Sequence, residues 1–129
     1  MSRSTIFVMV LSTALVGCGQ RSGSDNPSVG KEIFDNHCAE CHGPAGNVRL
    51  ADQHDPKTPD LRRIAERSPQ GRLPRIMLAE IIDGRRIDQA HGSRTMPIWG
   101  EQLGVEGNGT ADEKVKALVN YVESIQIKK

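Results

Sequence analysis

Cys38-Ala39-Glu40-Cys41-His42 sets two thiols three positions apart and follows them at once with an imidazole. Each thiol can add to one vinyl group of a porphyrin, and the adjacent histidine then reaches the iron on one face. The same cysteine pair also suits zinc or thiol–disulfide exchange. A structural zinc site takes about four ligands, usually as two such pairs, and the only other cysteine is Cys18. His37, His54 and His91 show no paired metal-ligand spacing. A redox dithiol expects a βαβ context, and no alternating strand pattern competes anywhere in the chain. Covalent haem is the chemistry that these five residues serve best.

Upstream of the motif, Arg3 precedes an apolar run from Ile6 to Val16 that only Ser12 and Thr13 interrupt. The run is too short to span a bilayer, which takes about 20 residues. It reads as a signal peptide over residues 1–17. Leu15-Val16-Gly17-Cys18 resembles the bacterial lipobox, which implies acylation of Cys18 after cleavage before it. Cys38 and Cys41 are then the only thiols left, so none is unaccounted for. Residues 18–27, rich in Gly, Ser and Asn, read as a flexible linker, and residues 28–129 as one domain.

The chain has 17 basic and 16 acidic side chains. Arg3 is the one charge in residues 1–17, so the remainder is formally neutral, and no nucleic-acid footprint exists. Aromatic residues make up only 3% of the chain. A haem would supply the large apolar plate that aromatic side chains usually provide. Arg62, Arg63, Arg67, Arg72 and Arg75 crowd one short stretch with Glu66 as its only acid. That stretch suits a solvated face, pairing with haem propionates, or docking.

Four helical segments are predicted. Pro27 and Ser28 start the first, which runs into Cys38. Its buried stripe takes in Val29, Ile33, Phe34 and Cys38. A short one follows Pro59-Asp60-Leu61. A third has Pro74 in its first turn, stops before Gly84 and puts Leu73, Ile76, Met77 and Ile81 on one face. The last opens on a capping box, Thr110-Ala111-Asp112-Glu113, and repeats Val115, Leu118, Val119, Val122 and Ile125 at helical spacing. Gly30 permits close backbone approach, so the helix carrying Gly30 and Phe34 is expected to cross the one carrying Leu118 and Tyr121.

By segments, the chain resembles the class I c-type cytochromes. Residues 30–43, GKEIFDNHCAECHG, are similar to that family's first helix and haem motif. Thr95-Met96-Pro97-Ile98-Trp99-Gly100 is similar to its sixth-ligand loop, and Leu118-Val119-Asn120-Tyr121-Val122 to its closing helix. The middle, Asn47 to Gln89, matches weakly. The resemblance implies an all-α small cytochrome c fold of three to five helices around one haem c, bound covalently through Cys38 and Cys41. It implies iron ligation by His42 and Met96. It also implies a Pro59 carbonyl accepting from the His42 ring, Leu61 packing on the haem, and haem attachment on the outer side of the bacterial cytoplasmic membrane.

For the iron's second face the chain offers rivals to Met96 in Met77, His54, His91 and, more remotely, His37. Met77 lies on an amphipathic segment that suits core packing. Met96 sits in a loop that Pro97 stiffens. Arg94 and Trp99 flank it and are candidates for propionate contact. His42 with Met96 closes the iron's coordination and suits electron transfer. The expectation is a lipid-anchored monohaem electron carrier on the periplasmic side, with Gly19 after Cys18 pointing to the outer membrane. Redox proteins are its expected partners, and no Ser/His/Asp or nucleophile–base spacing suggests an enzyme. The alternatives are a haem-based gas-binding sensor, or the subunit through which electrons enter a larger redox complex.

Overall fold

The computed structural model describes residues 26–52, 55–86 and 96–128. These residues are all-helical, and no strand occurs among them. The first helix, α1 (Pro27–His37), starts where the Asn26 side chain accepts from the Ser28 N–H, with Pro27 in its first turn. Proline is favoured there because the N–H that it lacks has no helical partner anyway. α2 (Ala39–His42) continues directly from it and carries the motif. Three short 3-10 turns follow, at Pro44–Gly46, Val48–Leu50 and Leu61–Arg63. The last of these leads into α3 (Ile64–Arg67).

α4 (Arg75–Asp83) begins just after Pro74 and ends at Gly84, whose φ of 95° is left-handed and open to glycine at little cost. α5 (Trp99–Val105) is a helix that the sequence reading did not propose. α6 (Ala111–Ser124) is the axis of the molecule and opens on the expected capping box: the Thr110 hydroxyl accepts from the Glu113 N–H, and the Glu113 carboxylate accepts from the Thr110 N–H at 2.8 Å.

α1, α4 and α5 all pack on α6. At the α1–α6 crossing, Gly30 lies so close to the Ala117 carbonyl that a Cβ would collide with it. Phe34 is fully buried and meets Tyr121 with ring centroids 5.2 Å apart. The crossing is therefore the expected one. The core consists of Phe34, Leu73, Leu78, Ile82, Leu103 and the α6 stripe Val115, Leu118, Val119, Tyr121 and Val122. Of the expected α1 stripe, Phe34 is buried, Val29, Ile33 and Cys38 are half-buried, and Gly30 joins them.

On α4 the buried face differs in part from expectation: Leu73, just ahead of it, is buried as expected. Leu78 and Ile82 are buried, whereas Ile76 is 80% exposed and Met77 is 37% exposed. Residues 76–82 are apolar almost all round, so two stripes compete. The i, i+4 pair Leu78 and Ile82 is the one that joins the core shared with α6.

Candidate functional site

The motif sits where α1 ends and α2 begins. The Cys38 N–H donates to the Phe34 carbonyl at 2.8 Å, and the His42 N–H donates to the Cys38 carbonyl at 2.9 Å. Helical backbone thus joins the buried Phe34 to both thiols and the imidazole. Cys38 is half-buried and Cys41 exposed, and both are free thiols. Burial, with the neighbouring Cys41 adding to it, pushes the Cys38 thiol up to about 12. Thiol–disulfide exchange needs the opposite, a lowered thiol pKa. Among the described residues no group of three or more His, Cys, Asp or Glu is placed to hold a metal. The raised Cys38 thiol counts against the thiol-exchange reading.

The His42 ring has one nitrogen committed. Its Nδ1–H donates to the Pro59 carbonyl at 3.3 Å, which leaves Nε2 as a lone-pair donor. Burial holds the ring below the usual histidine range, against the opposing pull of that carbonyl, so the neutral ligating form is favoured. A carbonyl on the far nitrogen also fixes the ring and raises its basicity.

What holds Pro59 lies further off in sequence. Asp60 caps the turn at Leu61–Arg63 and takes the Arg62 guanidinium on both oxygens, at 2.9 and 2.7 Å. Arg62 also donates to the Asn47 side chain at 2.9 Å. From the end of α6, the Gln126 amide donates to the Leu61 carbonyl at 2.7 Å and accepts from the Ala65 N–H at 2.8 Å. The Ile127 N–H donates to the Arg62 carbonyl at 2.9 Å. These contacts lock the segment that presents Pro59 and Leu61. Leu61 is half-buried against the core.

Met96 is half-buried and packs against the same core as Cys38, Leu61 and Trp99. The chain on either side of its loop is drawn together where α4 ends and α5 begins. Gly100 lies against Asp83 so closely that a Cβ would collide, and Gly84 lies against Ile98. α5 is also tied to the motif. His37, the residue before Cys38, stacks obliquely on Trp99 with centroids 5.3 Å apart, and its Nε2 pairs with Glu106 at 2.9 Å. The buried Lys114 ammonium donates to the Leu103 carbonyl at 2.7 Å and to the Glu106 carbonyl, holding the far end of α5. A cation at a helix C-terminus also meets its negative pole.

Of the candidate residues, the structure brings Cys38, Leu61, Met96 and Trp99 to one core and joins His42 to Pro59. His37 is engaged with Glu106 rather than standing free as a ligand. Cys18, His54, His91 and Arg94 lie outside the described residues. The Arg-rich stretch divides: Arg62 and Arg75 are tied into the fold, Arg75 to Glu123 and Asn120 on α6, and Arg63 pairs with Glu66 at 2.8 Å. Asn47, Gln126, Glu106 and Lys114 escaped the sequence reading.

Two thiols, one imidazole with a free Nε2 and one thioether beside an apolar core are the donor set for a covalently attached haem. The family model for cytochrome c matches residues 28–126 of the chain. No curated protein and no solved structure shows significant similarity to it.

Proposed function

The chain belongs to the cytochrome c family, and on that premise we propose that it is a monohaem electron carrier with His42 and Met96 as iron ligands, tethered to a membrane through a lipid on Cys18. Family membership makes haem-based electron transfer its general role, with haem c attached at Cys38 and Cys41. Bound haem supplies the one-electron couple, and the protein supplies ligands, orientation and a low dielectric. His42 is turned by Pro59 so that Nε2 faces outward from that hydrogen bond. Met96, packed against the same core as Cys38, would offer its sulfur to the iron's second face. Thioether ligation would raise the reduction potential relative to bis-histidine ligation, and ligands from both His42 and Met96 would leave the iron no open position.

The observation that carries the reading is Met96 packed on the same core as Cys38. A carrier with both faces filled resists exogenous ligands. Carbon monoxide added to the ferrous protein at neutral pH is therefore expected to bind slowly and incompletely. Rapid stoichiometric binding would instead identify a sensor whose methionine yields. The lipobox-like Leu15-Val16-Gly17-Cys18 supports the tether, and Gly19 after it supports an outer-membrane destination. Among the described residues no helix is long and apolar enough to cross a membrane.

A further inference from the structure

Beside the Pro59 segment lies an open cavity of about 390 Å3. Four cationic side chains line it: Arg49, Lys57, Arg63 and Arg67. Among the described residues the charged ends of Arg49, Lys57 and Arg67 make no hydrogen bond or ion pair.

The acids nearby are already engaged. Asp60, also on the wall, gives both oxygens to Arg62. Asp55 accepts from the Lys57 backbone N–H at 2.8 Å. Glu66 takes one nitrogen of Arg63, and among the described residues the rest of that guanidinium has no partner. Among the described residues the cavity therefore keeps an excess of positive charge.

Its walls are also set in advance. Pro56 and Pro59 stiffen one side, and a turn closed by the Thr58 N–H on the Asp55 carbonyl at 2.9 Å shapes the rim. The Asp60–Arg62–Asn47 contacts brace the floor. The volume falls in the range of small-ligand sites, about 300–1,000 Å3, but the lining is polar and charged where an apolar ligand would need hydrocarbon.

We propose that this cavity binds a small, soluble phosphate-bearing anion, with the guanidiniums of Arg49, Arg63 and Arg67 taking its oxygens in paired hydrogen bonds and Lys57 adding a point charge. Planar guanidiniums match phosphate oxygens bidentately, and such charge-assisted bonds are among the strong ones. Concavity favours a small anion over a flat protein or lipid face, because the four cations line one cavity. The inference is independent of which residue fills the iron's second face.

Isothermal titration of the haem-loaded protein with pyrophosphate, at low ionic strength where screening is weak, tests it. The expected result is saturable binding at one site. Arg67→Gln weakens it by about tenfold, the scale of one charge-assisted bond. Arg72→Gln removes an equal charge outside the cavity and leaves the affinity unchanged. No saturation in the wild-type protein, as would follow if haem propionates filled the cavity, overturns the proposal. So does an equal loss in Arg67→Gln and Arg72→Gln.

Discussion

Asp60 is the residue on which the histidine's support turns. Its side chain is 10% exposed, and Arg62 holds its carboxyl below the usual carboxylate range through hydrogen bonds, against a smaller burial cost. A carboxyl with a lowered native pKa stabilises fully above its unfolded value, near 3.8, and that contribution is lost as pH falls through the lower native value. Asp60→Asn is therefore expected to cost about 1–3 kcal/mol at pH 7. In urea unfolding the gap between variant and wild type should narrow at pH 3; a gap independent of pH would contradict the assignment. At this scale the sequence was informative where a short motif carries the chemistry. Cys38, Cys41 and His42 are legible because covalent attachment needs consecutive spacing, and Pro59 through its likeness to a family pattern. Gln126 and Asn47 were not legible, because their partners Leu61 and Arg62 lie 65 and 15 positions away. No local signal marks such a pair.

Among the elements, α1 and α6 were readable from the chain. Asn26-Pro27 and the Thr110–Glu113 box are start signals with local physics, and the apolar repeats are regular. α5 was not. It follows Pro97, contains Gly100 and Gly104, and has no side-chain cap at Ile98, so its local propensity is poor. Lys114, Glu106 and the Trp99–His37 contact hold it instead, and all of these are tertiary. The α4 face is ambiguous in sequence because residues 76–82 offer two apolar stripes and only contact with the core decides between them. Two glycine substitutions separate close packing from helix propensity. Gly30→Ala forces the added methyl into the Ala117 carbonyl and Tyr121 Cβ, and is expected to cost about 1–3 kcal/mol of overpacking. Gly104→Ala meets only the Ala111 methyl, at an ordinary 3.7 Å, and should stabilise by roughly 0.5–1 kcal/mol through helix propensity. Thermal unfolding of both variants checks this; a Gly30→Ala protein as stable as wild type would remove the close crossing from the account.

At the scale of the molecule, three helices converge on α6 while Met96 and the motif come to one core from opposite parts of the chain. The proposed lipid on Cys18 would add a second constraint by holding the domain to a membrane. Detergent-free fractionation of the native host is expected to leave the protein with membranes, and Cys18→Ala to release it; wild-type protein found wholly in the soluble fraction would rule the tether out. Everything proposed for the iron rests on the His42–Met96 pair, and the near-infrared spectrum of the oxidised protein reports on it. A weak sulfur-to-iron charge-transfer band is expected in the wild type and is lost in Met96→Ala. A band that persists in the variant, or is missing from the wild type, would contradict it.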